Sequence, residues 1–365
     1  MPKIKDITDY LEKFAPLDLQ ESYDNCGLLV GDPNSIITKI LLTLDCTEEV
    51  INEAIQLGCE LVIAHHPIIF KGLKSLTGKN YIENTVIKAI KNDIAIYACH
   101  TNLDHIKQGV NHKIAQKLQL INCKILAPKN EILYKLETYC PSSDTEKLLA
   151  AFKEAGAGTL GNYFGCSFTH SGIGRFTGNE SSNPTLGTKL KQEEVHEDKI
   201  EVLLPSHLKN KILSALKKNH SYEEPAFFLQ ALENANPDIG SGMIGELINE
   251  TDIYAFFDQV KKTFNAHTIK HTSILKPKVK KIALCGGSGS FLIQKAILAD
   301  ADVFLSADFK YHEFFDTENK VVIADIGHYE TEACTKEIFF DILNEKFANI
   351  ALVFSKSHTN PVKYY

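Results

Sequence analysis

Short apolar runs alternate with amphipathic segments towards both ends of the chain. Residues 39–67, KILLTLDCTEEVINEAIQLGCELVIAHHP, have the pattern of a strand, a turn, an amphipathic helix and a second strand. Residues 281–308, KIALCGGSGSFLIQKAILADADVFLSAD, repeat this order, and a gapless alignment places His66 opposite Asp308. The repeated alternation predicts an α/β fold built from two related halves.

A segment of different character separates the two halves. Residues 134–156 have the pattern of a strand, a proline and a helix, and residues 199–220 repeat it. Two such units predict an inserted α+β domain of ferredoxin-like type. The sequence therefore predicts a first core half, an inserted domain and a second core half, which span residues 1–127, 128–235 and 236–365.

Composition excludes several classes of protein. The net charge is −7 and the pI is near 6.1, whereas nucleic-acid binders usually present a basic face. Apolar runs reach neither the length of a membrane span nor that of a signal-peptide core. The nine cysteines are scattered without a C-x-x-C pair, which is typical of small buried side chains in a reducing compartment. We therefore expect a cytoplasmic protein that binds neither membrane nor nucleic acid.

Two adjacent histidines, His65 and His66, end the apolar run LVIA, and Pro67 follows them. A single histidine at this position would be interpreted as a packed core residue. Because successive strand side chains point to opposite faces, the two imidazoles are expected to face different ions of a pair. Ligands of open α/β sheets bind beyond the carboxyl ends of the strands, so this strand end is a candidate metal site.

Further histidines and acids follow other predicted strands. His328 and Glu332 lie four residues apart at the start of a helical pattern, where they can converge on one point. His100 and Asp104 follow the strand-like run DIAIYAC. Taken singly, the acids are explained by helix starts and turns. Taken with the paired histidines, they predict a mixed site that suits Zn, Mn or Fe.

Two other stretches allow alternative interpretations. The run CGGSGS, residues 285–290, follows a strand and is either a tight turn or a loop whose amides bind an anion. Asp308 and His312, four residues apart in SADFKYHE, are either helix-capping residues or groups that orient ligands and transfer protons.

Six motifs in their order and spacing closely resemble the GTP cyclohydrolase 1 type 2 homologs, also called NIF-three-like proteins. They are DNCGLLVG, AHHP, HTNLD, CGGSGS, SADFKYH and GHYETE, beginning at residues 24, 64, 100, 285, 306 and 327. The resemblance runs along both halves. One mild departure is Ser306-Ala307, where Thr-Gly is usual in the family.

The resemblance implies two divalent metal ions per subunit, held by His65, His66, Asp104, His328 and Glu332. It also implies a toroidal homohexamer, and an inserted domain similar to the small trimeric PII and divalent-cation-tolerance proteins. Because five side chains are too few for two separate closed sites, Glu332 is expected to bridge the ions.

Two functions are open at this point. The first is a metal-dependent hydrolase of GTP or another nucleotide or phosphoester, with His100, Asp308 or His312 moving protons. The second is a metal-binding or regulatory hexamer without turnover, whose inserted domain senses a ligand. An exchangeable position on the metals that opens into a pocket would favour the hydrolase.

Overall fold

Strands and helices alternate through both ends of the chain, which confirms the expected mixed α/β architecture. The computed structural model describes residues 1–130 and 132–365. They divide into a core unit, residues 1–127 and 238–365, and an inserted unit, residues 128–237. The predicted division into a first core half, an inserted domain that folds on its own and a second core half stays a prediction.

The strands of the described residues are, in chain order, β1 (Gly27–Val30), β2 (Lys39–Thr43), β3 (Leu61–Ala64), β4 (Ala95–Ala98), β5 (Ile121–Lys129), β6 (Leu133–Pro141), β7 (Ser167–Thr177), β8 (Gln192–Pro205), β9 (Phe227–Leu232), β10 (Asn236–Asp252), β11 (Lys270–His271), β12 (Lys278–Ser288), β13 (Val303–Ala307), β14 (Val322–Asp325) and β15 (Ala351–Phe354). The α-helices are α1 (Ile4–Phe14), α2 (Glu48–Leu57), α3 (Tyr81–Lys91), α4 (Thr101–His105), α5 (Val110–Lys117), α6 (Thr145–Ala155), α7 (Lys209–Asn219), α8 (Ile253–Phe264), α9 (Ile293–Leu298), α10 (His328–Glu332) and α11 (Thr335–Lys346).

Two sheets of the core unit share one plan. The first has the order β1-β4-β3-β2-β15, and the second has the order β11-β14-β13-β12-β10-β5. Strands β2, β3 and β4 are parallel in the first sheet, as are β12, β13 and β14 in the second. In the first sheet, β15 extends the parallel run beside β2 and β1 is antiparallel to β4. In the second sheet, the antiparallel strands β10 and β11 flank the parallel run on both sides. The carboxyl ends of three parallel strands therefore meet at one edge of each sheet.

Apolar residues on helix α2 hold it against the first sheet. Val50, Ile51 and Ala54 are fully buried against the strands, as their three- and four-residue spacing requires. The Thr47 hydroxyl accepts a hydrogen bond from the Val50 amide, so it caps this helix. Gly58 ends the helix with a φ of 64°, which glycine adopts without steric cost. These signals fix where strand β3 begins and hence where His65 lies.

The inserted unit contains a sheet with the order β7-β8-β6-β9, in which neighbouring strands are antiparallel. Strands β6 and β8 each end at a proline, Pro141 and Pro205, and a short 3₁₀ turn leads from each into helix α6 or α7. Both helices bury apolar side chains, including Phe152 and Leu216, against the sheet. The repeated pattern in the sequence thus corresponds to two strand–helix units.

No helix of the described residues is both long enough and apolar enough to cross a membrane.

Candidate metal centre

Imidazoles and carboxylates converge at the carboxyl ends of the parallel strands of the core unit. His65 and His66 directly follow β3, and His100 lies two residues after β4. Helix α10, which follows β14, carries His328 and Glu332. The ligand atoms form three overlapping groups, each with its atoms within 4.8 Å of one another: His65, His66 and His100; His66, His328 and Glu332; His65, Asp104 and Glu332. Each group could hold a metal ion.

Each of the four imidazoles is held through its Nδ1 atom. The acceptors are the Cys99 carbonyl for His65 at 2.8 Å, Asp45 for His66 at 2.7 Å, Asp24 for His100 at 2.9 Å and Asp308 for His328 at 2.7 Å. Partners of this kind fix the ring orientation of metal-ligating histidines and leave Nε2 as the ligand atom. The shared arrangement is therefore the one expected of metal ligands.

Glu332 lies at the centre of the cluster and is only 3% exposed. Its Oε2 atom is 2.9 Å from the Nε2 atoms of both His66 and His328. Its Oε1 atom faces the other side, 3.8 Å from His65 Nε2, and Asp104 lies on that side as well. The two oxygens of one carboxylate thus face two different sets of ligand atoms.

The electrostatics of the cluster favour cations. Although burial opposes ionisation, the surrounding imidazoles hold the pKa of Glu332 well below its usual range. Burial also opposes charge on His66, but hydrogen bonds from its ring to Asp45 and Glu332 raise its pKa to about 10. Burial and the charge of Glu332 raise the pKa of Asp104 to about 7. Metal ions would displace the protons that these groups share.

Two buried polar atoms in the cluster test whether a metal fits. His65 Nε2 and Asp104 Oδ1 have no hydrogen-bond partner among the described residues, and they lie 3.7 Å apart. Because His65 Nδ1 donates to a carbonyl, the neutral ring presents a lone pair at Nε2. Two buried acceptors aimed at one space, without a donor, are costly unless a cation satisfies them. The residues present therefore fit a divalent metal.

The glycines of CGGSGS allow the backbone to approach the cluster. Strand β12 continues through Ser288, so the run extends the strand instead of opening a helix directly. The amides of Gly286 and Gly287 donate to the side chains of Asn111 and Thr331, which leaves these two amides no free N–H for an anion. A Cβ atom at Gly287, whose φ is 61°, would lie 2.3 Å from Glu332 Oε1. Close approach to Glu332 is therefore the physical reason for this glycine.

The structure brings the five predicted ligands together, and the three candidates for proton transfer differ in their distance from them. His100 lies in the cluster beside His65 and His66. Asp308, with a φ of 60°, accepts from the His328 ring, so it orients a histidine. His312 is exposed and packs on Tyr311 and Phe315. It belongs to none of the three groups of ligand atoms found among the described residues.

Sequence reasoning missed the roles of Asp24 and Asp45. Asp45 lies two residues after β2, so its position at a strand end was the available signal. Asp24 is 76 residues from His100, and no local pattern connects the two. Its other oxygen accepts from the Thr101 amide at 3.0 Å and from the Thr101 hydroxyl.

The fold and the cluster together define a class: a mixed α/β protein with a buried histidine–carboxylate centre that could bind metal. The Duf34/NIF3 (NGG1p interacting factor 3) family model matches residues 2–361. The chain belongs to this family.

Relatives of known name and structure match over nearly the whole chain. A GTP cyclohydrolase 1 type 2 homolog from Halalkalibacterium halodurans is 38% identical over 363 residues, covering 98% of each chain. One from Staphylococcus aureus is 35% identical over 367 residues, covering 99% of this chain and all of the relative. The crystal structure of a Bacillus cereus protein related to NIF3 is 34% identical, with a TM-score of 0.86 over 100% of this chain and 99% of that one.

Proposed function

We propose that the protein is a metal-dependent hydrolase whose two divalent ions share Glu332. The observation that carries this proposal is the division of the Glu332 carboxylate, with Oε2 near His66 and His328 and Oε1 facing His65 and Asp104. One ion would take each side. His100, whose ligand atom lies within 4.8 Å of those of His65 and His66, completes the set.

Zn, Mn or Fe in such a centre would supply Lewis acidity for a hydrolytic reaction. The protein contributes a rigid set of ligands. The carboxylates of Asp24, Asp45 and Asp308 each hold one imidazole in a fixed orientation. The ligand geometry therefore does not have to form at each turnover. The negative charge of Glu332 at the centre offsets the cations.

The proposed substrate is GTP or another nucleotide or phosphoester. Its support is the name of the relatives, GTP cyclohydrolase 1 type 2 homolog, at 35–38% identity over nearly full length. A centre with two ions suits ring opening of a purine and cleavage of a phosphoester equally.

The test is a turnover screen of the full chain after metal removal and reloading with Zn, Mn or Fe. GTP, other nucleotides and simple phosphoesters are incubated with each form, and products are identified by liquid chromatography and mass spectrometry. We expect product that depends on metal and is lost in Glu332→Gln. Absence of product from every substrate with fully loaded protein would reject the hydrolase.

A second candidate is a regulatory scaffold that carries metal without turnover. The inserted unit favours it, because it contains its own cavity of about 450 Å³ with Tyr139, Phe176 and Tyr222 among its walls. A cavity of this size suits a small molecule. Ligand binding by the inserted unit, combined with a negative turnover screen, would support this function.

We further propose a homohexamer with a ferredoxin-like inserted domain. The β-α-β-β-α-β order of the inserted unit and its strand order β7-β8-β6-β9 support the domain type, and the family supports the hexamer. Light scattering should give six times the chain mass of 40.7 kDa. The mass of a single chain at micromolar protein would contradict the hexamer.

A further inference from the structure

We propose that Tyr23 and Phe70 form an aromatic platform that binds the flat ring of a substrate beside the candidate metal centre. This inference deepens the proposed function and rests on it, because it names a ring-bearing anion as the substrate class. It assigns a binding role to two residues that are not part of the ligand cluster.

Both rings are exposed to solvent. Tyr23 is 62% exposed and Phe70 is 41% exposed, whereas Ile68, two residues before Phe70, is 8% exposed. Single exposed apolar residues are common and need no explanation. A pair of exposed aromatic rings in mutual contact beside a polar cluster is more informative, because ligand sites combine aromatic walls with a few polar groups.

The platform is in contact with the cluster. The ring centroids of Tyr23 and Phe70 are 6.1 Å apart, and the Phe70 ring is 6.3 Å from that of His100. The His100 ring is in turn 5.2 Å from His65 and 5.3 Å from His66. Because the planes of the two rings are tilted by 43°, a flat ring would stack on Phe70, beside the candidate metal-ligating imidazoles, with Tyr23 bordering its edge.

The same short segments that carry the platform also build the cluster. Asp24, the neighbour of Tyr23, holds the His100 ring. The Asn25 side chain donates to the Ile69 carbonyl at 2.6 Å, which ties the Tyr23 segment to the residue before Phe70. The backbone segments that carry the two rings are thus linked to each other and to His100. A preformed platform binds a ring without a large cost in conformational entropy.

The positive charge of the loop that contains Phe70 indicates that the bound ring compound is an anion. Residues 67–80 contain Lys71, Lys74 and Lys79 and no acidic residue, although the whole chain has a net charge of −7. The three lysines are exposed. A flat heteroaromatic ring that carries phosphate, as a nucleotide does, complements stacking rings and nearby lysines together.

The test measures binding and does not depend on turnover. The metal-loaded full chain is titrated with guanosine, GTP and tripolyphosphate by equilibrium dialysis. Variants are Phe70→Ala, Tyr23→Ala and Phe70→Trp, with Tyr254→Ala as the matched control, since Tyr254 is 60% exposed on helix α8. Metal content and mass by light scattering are recorded for each variant.

We expect Phe70→Ala and Tyr23→Ala each to weaken guanosine and GTP binding by about tenfold, the scale of losing one stacking contact. Tripolyphosphate binding, metal content and mass should stay unchanged, Phe70→Trp should retain binding, and Tyr254→Ala should behave as wild type. Loss of ring binding without detectable turnover would support the platform while rejecting the hydrolase.

Three results would overturn the platform. The first is unchanged ring binding in Phe70→Ala and Tyr23→Ala, even if the protein hydrolyses phosphoesters. The second is wild-type protein that binds neither guanosine nor GTP. The third is a fall in mass with intact ring binding, which would make these rings a contact between copies of the chain.

Discussion

Two buried carboxylates in this protein have opposite surroundings. Asp198, in the inserted unit, is 8% exposed and accepts from the hydroxyls of Ser142, Thr145 and Ser171. Glu332, in the core unit, faces imidazoles, and the neighbouring His65 Nε2 atom has no hydrogen-bond partner among the described residues. Neutral hydroxyl groups donate all the hydrogen bonds that Asp198 needs, so its surroundings require no cation. The surroundings of Glu332 are complete only with cations, so burial of an acid does not by itself mark a site.

The largest difference between the two acids is expected in metal binding. Glu332→Gln keeps the size but removes the charge that faces both sets of ligands. It should weaken binding of both ions by more than about 100-fold, beyond the effect of losing an orienting partner. Metal analysis of folded protein checks this, with Asp198→Asn as the control that keeps its metal. Two tightly bound ions per chain in Glu332→Gln would show that the carboxylate does not bridge.

The division of the Glu332 carboxylate also predicts unequal effects of the two adjacent histidines. His65→Ala removes a ligand from the Oε1 side, and His66→Ala removes one from the Oε2 side. Each variant should lose mainly one ion of the two. Metal-to-protein ratios near one for both variants would support the division. Loss of both ions in both variants would indicate a single coupled site instead.

Much of this site follows from the sequence, because strand ends are visible in the apolar pattern. His65 and His66 follow a buried run, and the spacing of His328 and Glu332 places both on one helix face. The orienting carboxylates could not be predicted in the same way. Asp24 reaches His100 only because β1 pairs with β4, and such pairing between distant segments leaves no periodic signal.

The glycine run shows the same limit. From sequence, CGGSGS is equally a turn or an anion-binding loop, since the local signal is only conformational freedom. In the structure, the distant side chains of Asn111 and Thr331 accept hydrogen bonds from two of its amides, those of Gly286 and Gly287. The inserted unit was easier to predict, because both of its strand–helix units repeat a proline at the strand end.

Asp198, whose hydrogen bonds are satisfied, should stabilise the inserted unit. Asp198→Ala removes the acceptor of three hydroxyl groups and should lower the free energy of unfolding of the inserted unit by about 3 kcal/mol, given the strength of hydrogen bonds to charged groups. Denaturant unfolding followed by hydrogen exchange of strands β6 and β8 measures it. Metal content should not change. A loss of metal in this variant would remove the distinction between the two acids.

The effect of Asp198 should also depend on pH. Hydroxyl donors, Ser171 first, hold the pKa of Asp198 below its usual value of 3.8. A carboxyl whose pKa is lowered by folding stabilises the protein above its unfolded pKa and loses this contribution as the pH falls through its folded pKa. The stability gap between wild type and Asp198→Asn should therefore shrink below pH 3.8. A gap that is constant down to full protonation would contradict this.

A smaller effect on metal affinity is expected at Thr359, which is one hydrogen bond further from the cluster than Asp45. Thr359, near the end of the chain, donates its hydroxyl to Asp45 Oδ2 at 2.5 Å, and Asp45 Oδ1 holds the His66 ring. Thr359→Val keeps the shape and removes the donor. Metal affinity on the His66 side should fall about threefold, less than the 10- to 100-fold typical of a direct orienting partner. Asp45→Asn provides that larger reference, and equal effects of the two variants would contradict the ranking.

The smallest effect on metal content is expected from deletion of residues 128–235, although this deletion is the largest change to the chain. The chain leaves the core unit along β5 and returns along β10, and these strands are neighbours in one sheet. A short Gly-Ser linker can therefore join them without disturbing the other strands of that sheet. All of the ligand candidates lie in the core unit, while Asp198 is removed with the insert. We expect folded protein, checked by circular dichroism, with the same metal content as the full chain; loss of metal from this folded variant would show that the insert helps to build the site.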